Sequence, residues 1–404
     1  MKIFHLGDLH LGKSIYGRSM IEDQAFWIER FIELCKEKKP DVVLVAGDVY
    51  DRASPAAEAV KLLDRFITGV TDLGIKILIV AGNHDSGEKI SFAADLLKRE
   101  GVVIAGKAKK EMVNVEIEGV RFYLMPYIFP EEVKTILKDE EIRGYDNAAR
   151  RLINEQHIDE SKINILVAHQ NVIANGVEVE RGGSESMVGG VGEIDYSAFD
   201  MFDYVALGHI HSSYPVAREE VRYAGTPLCY HLEETRQPDR GPLLIEISDK
   251  EEGPTISREV IRPLHNMRYL KGNADEIYEI LKDDTGRSEY VGIVIKDKRI
   301  DPEMASYFRD LLNSRDSILM DLTSEYHEYS ASGQTANMTD IKEKKKEDLF
   351  SDLIRRKSND TPPSDEEYEL MRFVSEMMDN RDISEAITEA DVDKIIDEAR
   401  RIGG

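Results

Sequence analysis

The residues of this chain that could do chemistry recur in one arrangement: a short apolar run followed by Asp, Asn or His. Residues 3–7 precede Asp8 and His10, residues 42–47 precede Asp48 and Asp51, and residues 77–82 precede Asn83, His84 and Asp85. Residues 163–168 precede His169, and residues 203–208 precede His209 and His211. Taken singly, an Asp after a strand is ordinarily a turn or helix cap, and a His there an ordinary hydrogen-bonded residue. Five recurrences argue against that bland account. The donors are oxygen and imidazole without sulfur, which suits Mn²⁺, Fe²⁺, Mg²⁺ or Zn²⁺ rather than copper or an iron–sulfur centre. Seven candidate ligands among these clusters are too many for one ion. A pair of ions about 3.5–4 Å apart, sharing one carboxylate, would use them. Two such cations against two Asp carboxylates leave a local positive excess that can seat a phosphodiester.

Strands must deliver these groups to one place. Residues 3–6, 42–46, 75–81, 163–168 and 204–207 are short, apolar and rich in β-branched side chains, as buried strands are. Helix-period segments at 21–37, 55–71, 90–100 and 131–155 separate them, so an α/β fold is expected, with ligands gathered beyond the carboxyl ends of the strands. Hairpins are expected at 114–125 and 221–247, around Glu118-Gly119 and Asp239-Arg240-Gly241. After His265 the pattern changes to helix, strand (290–295), helix (302–312) and strand (317–322), beginning at Met267. Residues 324–340 have almost no aliphatic content and read as a linker, followed by amphipathic helices at 341–356 and 365–378 and an acidic helix at 389–402. For 404 residues, two or three domains are expected. The boundaries fall at 1–265, 266–323, 324–340 and 341–404.

The net charge of −25 is unevenly spread: residues 1–300 carry 39 Lys+Arg against 52 Asp+Glu, and residues 301–404 carry 14 against 26. Such a chain has no general basic footprint for nucleic acid, so any attraction must be local. No apolar stretch approaches a membrane span, and Asp8 comes too early for a secretory signal, so a cytoplasmic protein without membrane contact is expected. Cys35 and Cys229 are far apart and support neither a disulfide framework nor a thiolate zinc site.

In this order, Asp8-Leu9-His10, Gly47-Asp48-Val49-Tyr50-Asp51, Gly82-Asn83-His84-Asp85, the lone His169 and Gly208-His209-Ile210-His211 resemble the calcineurin-like metallophosphoesterase superfamily. Within it, DLHLGKSIYGRSM, EDQAFW, GDVYDRASPAAEAV, GNHDSGEKI, MPYI and YAGTPLCY are similar to the SbcD family of bacterial nuclease subunits, over roughly residues 1–265. The resemblance implies a four-layer α/β/β/α sandwich with a small α/β capping domain and C-terminal helices. It implies one metal on Asp8, His10, Asp48 and His211 and another on Asp48, Asn83, His169 and His209, both Mn²⁺, with Mg²⁺ as the alternative. His84 would stabilise the transition state or protonate the leaving oxygen, with Asp85 orienting it. The implied activity is 3′-to-5′ double-strand exonuclease and single-strand or hairpin endonuclease action on DNA in repair and recombination. The implied partners are an SbcC-like coiled-coil ATPase, bound through 341–378, and a second copy of the chain, bound through the helices 55–71 and 90–100. The implied location is the cytoplasm, in association with the nucleoid.

Competing readings have less behind them. Gly7–Ser14 satisfies the P-loop pattern G-x-x-x-x-G-K-[ST], but Asp8 would add a like charge beside the phosphates and the helical pattern starts late. Lys13 and Arg18 are then loop residues near nucleic acid or in solvent. A small-substrate phosphatase or cyclic-nucleotide phosphodiesterase would share the site, yet the chain beyond residue 265 argues against it. The complete ligand set argues against a catalytically silent scaffold. His5, His157, His265 and His327 read as structural, and His231 as a packing residue. The Gly-rich stretch 181–192 reads equally as a substrate loop or a turn, and 342–346 as a solvated helix face.

Overall fold

Alternation within the apolar runs decides which layer each side chain enters. The computed structural model describes residues 1–174, 192–283 and 288–326, together with 364, 368–372 and 401. Strands β1 (Lys2–Leu6), β2 (Val42–Ala46), β3 (Lys76–Val80) and β4 (Val102–Ala105) pair in parallel. A second sheet follows, from β5 (Val113–Ile117), β6 (Val120–Met125), β7 (Ile163–His169), β8 (Tyr204–Gly208), β9 (Pro215–Val216) and β10 (Arg218–Tyr223), in the order β9-β10-β8-β7-β6-β5. The chain then returns to the first sheet, where β11 (Leu243–Glu246) lies antiparallel to β1 and β12 (Thr255–Arg258) antiparallel to β11.

Ile3, Val42, Leu44, Leu78 and Val80 of the first sheet pack with Phe122, Leu124, Ile165, Val167 and Tyr204 of the second. The outer face of the first sheet is covered by α1 (Ile21–Lys38) and α2 (Ala57–Thr71), where Trp27 stacks on Phe31 at 5.2 Å and Phe31 on Phe66 at 5.5 Å. The outer face of the second is covered by α3 (Pro130–Leu137) and α4 (Gly144–Asn154) through Val133, Ala148, Leu152 and Ile153. The expected four layers result. Each fully buried aliphatic or aromatic side chain contributes about 1.5–3 kcal/mol. His5 is structural, as expected: it lies between the sheets with Nδ1 2.9 Å from Tyr204 Oη and Nε2 3.1 Å from the Leu207 carbonyl. Burial lowers its pKa to about 3.

A smaller parallel sheet completes the unit Met1–Tyr326: β13 (Asn266–Gly272), β14 (Glu289–Ile295) and β15 (Ile318–Ser324), in that order, crossed by α5 (Ala274–Asp283) and α6 (Pro302–Asn313). Its core comprises Ile277, Leu281, Val291, Ile293, Phe308 and Leu312. Buried Asp23 of α1 ties it to the first sheet, accepting from Tyr290 Oη at 2.7 Å and lying 2.9 Å from His265 Nδ1.

Several expectations are corrected. Residues 221–247 are not a hairpin: β10 joins the second sheet and β11 the first, because each completes a different core. The segment 131–155 is two helices, parted where Lys138 (φ 57°) and Gly144 (φ 71°) turn left-handed. The segment 90–100 is broken at Ala93 (φ 58°) into Gly87–Ile90, Ala94–Leu97 and a 3₁₀ turn. Residues after Met267 begin as a strand rather than a helix, since β14 offers a parallel partner. Strand β4 is an addition. Residues 181–191 and 327–363, and most of the proposed C-terminal helices, lie outside the described residues; 368–372 is helical. No helix among the described residues is long and apolar enough to cross a membrane.

Candidate metal centre

Strand ends bring the site together. The loops after β1 and β2 are laced by Asp8 N–H to the Gly47 carbonyl (3.1 Å) and His10 N–H to the Asp48 carbonyl (2.9 Å). Asp8, His10, Asp48 and His209 adopt φ of 54°, 43°, 46° and 103°, conformations that non-glycine residues seldom hold without compensation elsewhere. Two glycines of the recurring run are required by space. A Cβ on Gly47 (φ 83°) would fall on the His169 ring, and one on Gly82 on the Asp48 carboxylate.

All seven expected ligand residues converge. Asp48 stands in the middle, Oδ1 3.4 Å from His169 Nε2 and Oδ2 3.6 Å from His10 Nε2. On one side His10 Nε2 and His211 Nε2 face each other at 3.1 Å, and donor atoms of Asp8, His10 and His211 lie within 4.8 Å of one another. On the other side Asn83 Oδ1 is 3.0 Å from His169 Nε2 and 3.2 Å from His209 Nδ1. Asp8 accepts the His209 N–H at 3.0 Å and so links the two groups. His169 Nδ1 donates to the Ala46 carbonyl at 2.8 Å, which leaves the Nε2 lone pair for a cation.

His84 sits at the rim, exposed, its Nδ1 donating to the Asp51 carbonyl at 2.9 Å and its N–H donating to Asp48 Oδ1 at 2.9 Å. Asp85 does not orient it, contrary to expectation. Its carboxylate accepts the N–H groups of Val49 (3.1 Å), Tyr50 (2.9 Å) and Gly82 (2.9 Å), because those loop amides have no strand partner and a carboxylate can satisfy three. Asp85 thus braces the loops that carry Asp48 and Asn83.

The electrostatics are those of a cation site. Burial pushes the Asp8 carboxyl up to about 7, against the pull of His169 and His211. Asp48 is held well below the usual carboxylate range: burial opposes this, but the neighbouring His169 and its hydrogen bond prevail. Conversely His169 rises to about 9, because Asp48 outweighs the effect of burial. His10 is kept neutral by burial. The His169–Asp48 proton lies among donors that a divalent cation would engage, and two imidazole nitrogens facing each other at 3.1 Å fit such an ion.

Sequence reasoning missed the residues behind the ligands. Glu234, 2 % exposed, has Oε1 2.8 Å from His211 Nδ1; burial opposes its ionisation, but His211 and Arg240 lower its pKa to about 2. Gln24 donates to the His10 carbonyl at 2.8 Å and to Tyr230 Oη at 3.0 Å. Neither lies at a strand end or in a chemical spacing, so no local signal marks it. His231 caps its own turn, accepting from Glu233 N–H at 3.3 Å, in keeping with the packing role. No P-loop forms: after Gly12 the chain makes a small hairpin, Ser14–Ile15 with Arg18–Ser19, and the helix starts only at Ile21. Lys13 Nζ is paired with Asp51 at 2.7 Å.

Residues 1–213 match the calcineurin-like phosphoesterase family. The chain belongs to that family. Residues 263–358 match a second family, described as a type 5 capsule protein repressor C-terminal domain. Among curated relatives of this calcineurin-like phosphoesterase, SbcD of the SbcCD nuclease from Staphylococcus saprophyticus is 32% identical over 301 residues, covering 73% of this chain and 78% of that one. Among solved structures, a dimetal phosphatase from Danio rerio is 10% identical with a TM-score of 0.34, covering 65% of this chain and 98% of that one.

Proposed function

We propose that this protein is the nuclease subunit of an SbcCD-like complex, a two-metal phosphodiesterase that cuts DNA. The observation carrying this reading is Asp48, one carboxylate with an oxygen toward each of two ligand groups. Asp8, His10, Asp48 and His211 would hold one cation, and Asp48, Asn83, His169 and His209 the other. Mn²⁺ is the proposed metal, with Mg²⁺ as the alternative. When bound, the pair supplies Lewis-acid stabilisation of the phosphoryl oxygens and an activated water for in-line attack.

The chain's own residues supply the rest. The Ala46 carbonyl fixes the His169 tautomer. Asp85 and the left-handed turns at Asp8, His10 and Asp48 hold the donors in place before substrate arrives. His84, with Nδ1 donating to the Asp51 carbonyl, would act as the imidazolium, its Nε2–H stabilising the transition state or passing that proton to the leaving oxygen and leaving a neutral ring.

Resemblance to the staphylococcal SbcD supports DNA as substrate and an SbcC-like ATPase as partner, reached through residues 341–378. We further propose 3′-to-5′ double-strand exonuclease and single-strand or hairpin endonuclease activity, in the cytoplasm and in association with the nucleoid. A homodimer through α2 and residues 90–100 is supported by the exposed apolar side chains Val60, Phe92 (83 % exposed) and Leu96 (61 % exposed). We assign 1–265 to the nuclease domain, 266–323 to the cap, 324–340 to a linker and 341–404 to partner-binding helices. The test presents the purified chain with a labelled DNA hairpin and with a chromogenic small phosphodiester, each with Mn²⁺, Mg²⁺ or EDTA. Metal-dependent cutting of the hairpin is expected. Turnover of the small ester alone would reassign the protein to small substrates.

A further inference from the structure

Glu234 lies 23 residues from the ligand it touches and belongs to none of the strand-end clusters. A buried carboxylate held anionic by an Arg can only accept, so the hydrogen of the His211 ring sits on Nδ1, 2.8 Å from Glu234 Oε1. The Nε2 lone pair is thereby turned toward His10 and Asp8. The second oxygen is also committed: Oε2 accepts the Tyr230 N–H at 2.9 Å and faces Arg240 Nη2 at 3.4 Å. Arg240, 5 % exposed, donates through Nη1 to the His211 carbonyl at 3.1 Å and through Nη2 to the Glu234 carbonyl at 3.0 Å. One guanidinium thus neutralises the carboxylate and clamps the backbone of both the ligand and its partner.

The other cluster is built differently. There the His169 ring is supported by a neutral carbonyl, that of Ala46. A carboxylate behind an imidazole raises its basicity toward a metal more than a carbonyl does. We infer that Glu234, braced by Arg240, is a positioning residue that fixes the tautomer of His211 and strengthens the hold of the Asp8–His10–His211 subsite on its cation. The inference rests on the two-metal reading above.

The test is calorimetric titration of the full-length, metal-stripped chain with Mn²⁺, with metal content checked by elemental analysis. Glu234→Gln keeps an acceptor oxygen but loses the charge. It should weaken one of two Mn²⁺ sites by about 10- to 100-fold and leave the other unchanged, and excess Mn²⁺ should restore cleavage. Glu234→Asp keeps a charge opposite Arg240 but withdraws it from His211, and should cause the same selective loss in a chain that still melts cooperatively. Wild-type affinity at both sites in these variants, or equal weakening of both, would overturn the inference. Should neither variant fold, ¹⁵N imidazole spectra of the zinc-loaded wild-type chain decide it. A His211 proton on Nδ1 supports the assignment, and one on Nε2 overturns it. A wild-type chain that binds fewer than two Mn²⁺ would instead remove the two-metal reading on which the inference stands.

Discussion

Acidification should expel metal from this site, and the structure sets the steepness. In the metal-free chain a proton rests on His169 below about pH 9 and another on Asp8 below about pH 7, while Asp48 is already ionised and His10 already neutral. Both raised groups must lose their protons to bind a cation, so protons and metal compete and affinity falls as pH falls. From these two groups alone, binding releases about one proton near pH 8, about one and a half at pH 7 and about two at pH 6. Integrated over that interval, affinity drops by roughly three powers of ten, about 4 kcal/mol. Calorimetric titration with Mn²⁺ at several pH values, in two buffers of different ionisation enthalpy, measures the affinity and the proton count together. Release of less than about half a proton at pH 7, or an affinity change below about tenfold, would refute the assignment of His169 and Asp8 to the cation site.

Other perturbations separate chemistry from folding. Gly47→Ala should cost at least about 1–2 kcal/mol in chemical denaturation, because φ of 83° is strained for an L side chain, and should also displace His169, so that elemental analysis finds less bound metal. His84→Ala should keep both metals and lose about 10²- to 10⁴-fold in turnover; a metal-empty variant would move His84 into the ligand set. Phe31→Ala, at the centre of the Trp27–Phe31–Phe66 stack, should destabilise by about 3–5 kcal/mol in denaturant titration while activity per folded molecule is retained. Truncation after Asp340 should preserve cleavage and dimerisation and abolish co-purification with the ATPase; unchanged ATPase affinity would refute the tail assignment.

What the amino-acid sequence determined by itself was everything written in local periodicity. The buried strands β1, β2, β3, β7 and β8 are short, mostly apolar runs, and a residue placed just after such a run must emerge at its carboxyl end. That is why the strand-end clusters that carry the seven proposed metal ligands, from Asp8 to His211, are legible without any distance between them. Helices α1 and α2 are legible for the same reason, as single amphipathic stripes facing one sheet.

Only the tertiary structure decided what depends on partners distant in the chain. Residues 221–247 have the pattern of a hairpin, yet β10 and β11 separate into different sheets because each finds a better-matched neighbour, β8 and β1. Lys138, Gly144 and Ala93 interrupt helices through left-handed turns that helical periodicity does not encode. The family resemblance pairs Asp85 with His84, whereas loop amides without a strand partner claim its carboxylate. Glu234 and Gln24 are invisible in sequence because nothing in the spacing of HLEETR or EDQAFW requires a polar side chain to point at a ligand brought up from elsewhere in the chain. Strand-end ligands are a property of the chain's local order; the groups that aim them are a property of packing, and they exist as partners only once the two sheets have closed on each other.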